Sequence, residues 1–285
     1  MLAENSYGKS GIRLVRVVRG RDRHQIIDLT VAVRLEGDFA AAHMHGDNRD
    51  VLPTDTMKNT VYALAAGHAI ESIEAFGLDL ASHFLDASPK AERVQISIWE
   101  HPWEPIVANG RPHPHAFRRV GHARGRATVT ASRGRRSVEA GLEGLLLMKT
   151  ADSAFSGFAR DRYTTLAETR DRIFATEVTA SWRYTETDID WSRLRSAIEQ
   201  TLVETFARHE SESVQHTLHE MGEAVLAKHP QVAEIRLSLP NKHHLPVDLA
   251  KFGLENKNEV FVAIEEPYGL IEAVLKRKRG AGSRE

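Results

Sequence analysis

Leu29, Val31, Val33 and Leu35 alternate with Asp28, Thr30, Ala32 and Arg34, the period of a strand with one face buried and the other more polar. The run from Ile12 to Arg19 precedes it as another strand candidate. After a loop predicted over His43 to Asp50, Pro53-Thr54-Asp55 reads as a helix start, because Thr or Asp can accept a hydrogen bond from a first-turn amide that lacks a partner inside the helix. Ile73, Phe76, Leu80 and Phe84 recur at helical spacing. Val94, Ile96 and Ile98 return to period two, and further short strands are predicted to about Met148. The first half therefore reads strand, strand, helix, helix, strand, strand.

The second half repeats that order. Phe174, Thr176, Val178, Ala180, Trp182 and Tyr184 alternate with mostly polar residues, then Leu194, Ile198, Leu202 and Phe206 mark a helix, and Val214, Leu218, Met221 and Val225 mark the next. Strands at Ile235 to Leu239 and Val260 to Ile264 complete it. Ala91-Glu92-Arg93-Val94-Gln95-Ile96-Ser97-Ile98 matches Ala233-Glu234-Ile235-Arg236-Leu237-Ser238-Leu239 at an equivalent place, which reads as a duplicated unit. Strand runs broken by helix pairs fit antiparallel sheets with helices on one face, an α+β arrangement, with units expected over residues 1–138 and 139–285.

At 285 residues the chain is long enough for about two domains. Its 41% hydrophobic and 27% charged residues are those of an ordinary soluble globular protein. A formal net charge of -1 speaks against nucleic-acid binding, which needs concentrated basic surface to displace counterions. The one basic run, Lys276-Arg277-Lys278-Arg279, reads as a solvated tail. No stretch approaches the roughly 20 apolar residues that cross a bilayer, and the N-terminus lacks the basic and then apolar layout of a signal peptide. A cytoplasmic protein with no membrane partner is expected. The absence of cysteine excludes disulfides, thiolate ligands and a cysteine nucleophile.

Three segments concentrate polar chemistry. Pro240 ends the alternating run Ile235-Arg236-Leu237-Ser238-Leu239, and Asn241-Lys242-His243 follow, three polar groups predicted at a strand terminus where a rigid element can hold them. Tyr7-Gly8-Lys9 stands just before the first apolar run, and Thr54-Asp55-Thr56-Met57-Lys58-Asn59-Thr60 opens a helix. Lysine, threonine and histidine without a thiol suggest a proton relay. Taken singly, each residue has a plainer reading: Lys9 as a flexible N-terminal charge, Thr54 and Asp55 as caps, Arg172 as a solvated or salt-bridged surface group, Phe155 as core, Gln215 as an exposed helix-start residue. Among 15 histidines, His43-Met44-His45, His113-Pro114-His115 and His243-His244 are ligand pairs by type, but none has a third ligand at a recognisable spacing, so no metal is expected. The chain has no Gly-rich phosphate loop, dinucleotide fingerprint or Gly-x-Ser-x-Gly elbow.

Together these segments resemble the urate oxidase (uricase) family. The resemblance spans nearly the whole chain, in the family's order and at closely similar spacings, through Phe155-Ser156-Gly157-Phe158, Arg160-Asp161, Tyr163-Thr164-Thr165-Leu166, Glu168-Thr169, Asp171-Arg172, Val214-Gln215 and Ser238-Leu239-Pro240-Asn241-Lys242-His243. It implies a tunnelling fold, two α+β units in tandem, whose sheets join into barrels when subunits pair in a homotetramer. The implied reaction is oxidation of urate by dioxygen and water to 5-hydroxyisourate and hydrogen peroxide, with no cofactor.

By the same resemblance, Lys9, Thr54 and His243 match the catalytic relay. Thr54, Asp55, Phe155, Leu166, Arg172, Val214, Gln215 and Asn241 match substrate-binding positions, and Thr54 and Asn241 match those that hold dioxygen and then water. Arg172 would clamp the planar anion, Gln215 would address its opposite edge and Phe155 would stack on its face. Lys9 and Thr54 would come from one subunit, and the set from Phe155 to His243 from its neighbour. His113-Pro114-His115-Ala116-Phe117 matches a family turn outside the active site, and Gly282-Ser283-Arg284-Glu285 does not match the peroxisomal ending of some members. Ser156 stands where some members have an aromatic residue. The alternatives are a metal-dependent tunnelling-fold enzyme acting on a purine or pterin, and a non-catalytic purine-binding protein. Relay and binding residues occurring together favour the active oxidase.

Overall fold

The computed structural model describes residues 2–121, 123–186 and 188–277. The chain divides into two compact units, Met1–Gly141 with Glu186–Arg195, and Leu142–Thr185 with Ser196–Glu285. In the first, strands β1 (Ser6–Arg19) and β2 (His24–Gly37) form an antiparallel hairpin, followed by helices α1 (Ala40–His45), α2 (Thr54–Gly67) and α3 (Ile73–Ala87). Then come β3 (Ala91–Glu100), β4 (Trp103–Ala108), β5 (Arg111–Arg119), β6 (Arg124–Ser132) and β7 (Arg135–Lys149), which ends in the second unit. The sheet runs β1-β2-β3-β6-β7, while β4 and β5 pair apart.

One face of this sheet is apolar because the registers align the alternating positions. Ile12 on β1 lies opposite Val31 on β2, which lies opposite Ile98 on β3, and all three are buried. Helix α3 lays Phe76, Leu80 and Phe84 into the core, each fully buried, and each such side chain contributes about 1.5–3 kcal/mol relative to exposure. Gly77 allows the helix this close, since a Cβ there would lie 2.8 Å from Val129 Cγ2. On the same face, the Arg16 guanidinium donates to the Ala65 carbonyl of α2 at 2.7 Å. The helices therefore lie on one face, as an α+β arrangement requires.

Strand β1 starts at Ser6, earlier than its apolar run predicts, and so takes in Lys9. Lys9 pairs with Val33 and Ile12 with Val31, leaving one extra residue on β1, with Gly11 at φ 70°. Counted back from Ile12, simple alternation puts Lys9 on the polar face. The bulge turns it, with Tyr7, onto the helix face beside Val33. Tyr7 meets the Phe39 ring edge-on at 4.8 Å, and its hydroxyl accepts from the Leu52 amide at 2.9 Å.

Two histidine-rich segments differ from expectation. His43 to His45 belong to α1 rather than to a loop, and His113 to His115 lie in β5 rather than in a turn. Pro112 and Pro114 are tolerated there because a two-stranded sheet leaves one side of each strand without ladder partners.

The second unit contains β8 (Phe174–Tyr184), α4 (Trp191–Arg208, which begins in the first unit), α5 (Val214–Lys228), β9 (Val232–Ser238), β10 (Asn241–Pro246), a 3-10 turn (Ala250–Phe252), β11 (Phe261–Gly269) and β12 (Glu272–Lys276). β8 pairs with β9 and β10, β10 with β11, and β9 with β12, all antiparallel. Helix α5 covers β9 and β12, as α3 covers β3 and β6. Gly222 repeats the role of Gly77, since its Cβ would lie 2.7 Å from Leu275 Cδ1. The local match between the halves thus falls on β3 and β9, two strands in equivalent positions.

Strand β12 corrects the reading of the basic run as a solvated tail. Lys276 pairs with Glu234 at 3.1 Å, and Arg277 donates to the carbonyls of Val232, Leu226 and His229 at 3.1, 2.6 and 2.8 Å. Carbonyls that cluster where α5 ends and β9 starts, one of them also accepting from the Val232 amide, supply the attraction. Lys278 and Arg279 lie outside the described residues. Among the described residues no helix is long and apolar enough to cross a membrane.

Candidate active site

The second unit holds a cavity of about 470 Å³, a size that suits one planar heterocycle. Phe155, Leu166, Arg172, Val214, Gln215, Asn241 and His243 all line it. Phe155 and Arg172 belong to the segment between β7 and β8. That segment is pinned by backbone: the Phe155 amide donates to the Thr169 carbonyl at 2.8 Å, the Thr169 amide returns to Phe155 at 3.0 Å, and the Arg172 amide donates to Ser153 at 2.9 Å. The Arg172 guanidinium carbon stands 5.2 Å from the Phe155 ring centroid. Its Nε is buried without a hydrogen-bond partner, and burial pushes its pKa down, surroundings in which a guanidinium favours an anionic partner. Leu166 is 55% exposed and borders the cavity rather than filling it.

Val214 and Gln215 open α5, where Ser213 caps by accepting from the His216 amide at 3.1 Å. First-turn amides have no acceptor within their helix, and the helix dipole adds positive potential at that end. Gln215 is exposed at a helix start, as the plainer reading has it, and it also faces the cavity. Phe155 is half-buried at the cavity instead of sealed in the core.

Asn241 and His243 do not end a strand. They begin β10, a separate strand after Pro240, in which Asn241 pairs with Thr176 of β8 and His243 with Ile264 of β11. Alternation sends both to the cavity side. Lys242 takes the other side and pairs with Glu177 at 2.7 Å, a hydrogen bond that raises the lysine pKa.

In the first unit, Thr54 and Asp55 start α2 but neither caps it. The cap is Pro53, whose carbonyl accepts from the Met57 amide at 3.1 Å, with no side-chain capping bond. Asp55 is occupied instead by Lys58 at 2.5 Å and Asn59 Nδ2 at 3.1 Å. The Lys58 hydrogen bond lowers its pKa, and the charge of Lys9 adds in the same direction. The bulge in β1 thus brings Lys9 near the start of α2, and Thr54 keeps a hydroxyl that capping does not use.

Pattern reading missed Ile173, Asn258, Phe261 and Ile271, which also line the cavity, and it singled out His244, another lining residue, only as half of a ligand pair. Asn258 sits at φ 64°, a left-handed position that asparagine tolerates and that Asn256-Lys257-Asn258 hinted at. The others carry no local signal, because loop closure and strand pairing bring them in. Among the described residues no group of three or more His, Asp or Glu is arranged to hold a metal ion.

The family model for uricase matches residues 5–130 and 138–272. The uricase of Arthrobacter globiformis is 44% identical over 278 residues, covering 98% of this chain and 90% of that protein. The uricase of Dictyostelium discoideum is 41% identical, covering 97% of each. The crystal structure of the Arthrobacter globiformis uricase superposes with a TM-score of 0.93, covering 100% of this chain and 97% of that one. With the α+β architecture, the cavity and its motif residues in place, these matches over nearly the full length show that the chain belongs to the uricase family.

Proposed function

We propose that urate binds in the second-unit cavity and is oxidised by dioxygen and water to 5-hydroxyisourate and hydrogen peroxide, a step of purine catabolism, without metal or organic cofactor. Arg172 carries the reading. A half-buried guanidinium with an unpartnered Nε beside an aromatic ring is a receptor for a flat anion. Phe155 supplies the stacking face, and the Val214 backbone with the Gln215 amide meets the opposite edge.

In this mechanism Lys9 draws a proton from urate through the Thr54 hydroxyl, and His243 completes the relay. The electron-rich dianion passes two electrons in all to one dioxygen, and the pair recombines as a hydroperoxide at a ring carbon. Water then displaces hydrogen peroxide and leaves its hydroxyl on that carbon. Asn241 holds dioxygen first and water afterwards. The protein supplies positioning, electrostatics and proton transfer, while urate supplies the electrons.

The working form is a cytoplasmic homotetramer of tandem tunnelling-fold units, 1–138 and 139–285, whose sheets close into barrels between subunits. Lys9, Thr54 and Asp55 of one subunit complete the cavity of its neighbour. Edge strand β1 supports this reading, because Val15, Val17 and Val18 are 59%, 40% and 39% exposed on it. Unpaired edges bearing apolar side chains need cover.

The test is loss of urate ultraviolet absorbance followed alongside oxygen uptake and peroxide release, using metal-stripped protein in chelator. Equal consumption of urate and dioxygen with matching peroxide is expected. Activity that returns only when zinc, copper or iron is added would replace this reading with a metal enzyme. Tight urate binding without turnover would replace it with a binding protein.

A further inference from the structure

The stacking residue Phe155 does not stand alone. The ring of Phe158 lies parallel to it, with centroids 4.9 Å apart and planes inclined by 13°. Phe158 itself does not line the cavity. Gly157, between them, has φ 70°, the left-handed turn that folds the chain back and lets two nearby rings stack. The guanidinium carbon of Arg160 then sits 4.9 Å from the Phe158 centroid, and Arg160 reaches Glu168 at 3.6 Å. Glu168 precedes Thr169, whose backbone exchanges both hydrogen bonds with Phe155. The loop from Phe155 to Thr169 is therefore closed at its neck by backbone and internally by a column of Arg160, Phe158 and Phe155.

From this we infer that Phe158 and Arg160 are positioning residues for substrate stacking. Phe158 covers one face of Phe155, so a planar ligand can use only the other. It also fixes the tilt of that ring relative to Arg172, which must meet the ligand's edge while Phe155 meets its face. Arg160 holds Phe158 by its charge over the ring and anchors the column to the far side of the loop through Glu168. Ser156 contributes no ring, so Phe158 is the ring that backs Phe155. The inference rests on the cavity being the urate site, and one of its readouts is independent of urate.

The test compares Phe158→Leu, Phe158→Tyr, Arg160→Gln and Arg160→Lys in the full-length protein. Phe158→Leu should raise KM for urate, and the dissociation constant in anaerobic urate titration, by about three- to tenfold, with kcat and Tm little changed. Phe158→Tyr should restore both. Arg160→Gln should raise KM by about two- to fivefold, with recovery in Arg160→Lys, which keeps the charge. In a Phe155→Leu background the Phe158→Leu effect should disappear, because the ring it orients is gone. Hydrogen exchange of the peptide spanning residues 153–172 should quicken in Phe158→Leu and not in Phe158→Tyr, whether or not urate is the substrate. Unchanged KM and exchange in Phe158→Leu would overturn the inference. So would equal losses of kcat and Tm that Phe158→Tyr fails to rescue, since that pattern marks a merely structural ring. Absence of urate turnover in the unaltered protein, with the exchange result intact, would fault the substrate and leave the column standing.

Discussion

Arg172 and Lys9 are both cations, and their surroundings give them different work. Arg172 lies in a cavity with its Nε buried and unpartnered, so its charge is available to a ligand anion. Replacing it with alanine should cost urate binding about 2–3 kcal/mol, roughly 30- to 150-fold, the scale of hydrogen bonds to a charged group. Unchanged affinity in isothermal titration would show the clamp to be misassigned. Lys9 sits on a strand beside the start of α2, where its charge acts on Asp55. Lys9→Met should lower kcat by about 100-fold or more, as loss of a general base does, while anaerobic urate binding changes little. If both fell by the same factor, the lysine would be a binding group.

At the scale of elements, the β1 and β2 hairpin does most to place Lys9, the proposed relay residue of the first unit. Its bulge reverses the side on which Lys9 emerges, and Gly8 allows the two backbones to meet beside it. A Cβ at Gly8 would lie 1.9 Å from the Val33 carbonyl oxygen and 2.9 Å from Arg34 Cα, backbone atoms that cannot swing aside. Gly8→Ala should therefore destabilise the protein by about 2 kcal/mol or more and displace Lys9. The expected signature is a lowered Tm together with lost turnover. A variant with unchanged Tm and activity would mean that the hairpin relaxes at no cost, and that the close approach is unimportant.

For the whole molecule, shared sites and pH are the testable properties. If Lys9 of one subunit serves the cavity of another, mixing Lys9→Met with Arg172→Ala subunits should restore activity, in roughly a quarter of the sites of a random hybrid. Two inactive variants that stay inactive after co-expression would place each complete site within one chain. Stability should also depend on His229, whose Nε2 lies 2.9 Å from Thr201 Oγ1 and whose pKa burial holds below the ordinary value of about 6.5. In that window the unfolded chain binds more protons than the folded one. The histidine's contribution is thus complete above pH of about 6.5 and is lost as the pH falls below it. His229→Gln should flatten the decline of Tm between about pH 6.5 and 5. Glu74, buried beside Arg195 with its pKa raised by burial, works in the opposite sense, so the comparison with the unaltered protein is the informative one. Parallel Tm profiles would remove His229 from the account.

Much of this architecture was legible along the chain, because alternation and helical spacing are local properties. Leu29 to Leu35 announce β2, Ile73 to Phe84 announce α3, and the paired segments at Ala91 and Ala233 fall on equivalent strands. The residue types of the site were legible too, since their motifs stand in order. Tertiary structure alone decided which way those residues face. The bulge near Gly11 turns Lys9 to the helix side, pairing with β8 and β11 makes Asn241 and His243 a strand of their own, and the carbonyls of Val232, Leu226 and His229 hold Arg277. Each depends on cross-strand register or on a partner many residues away, and neither is encoded in the periodicity of the segment itself.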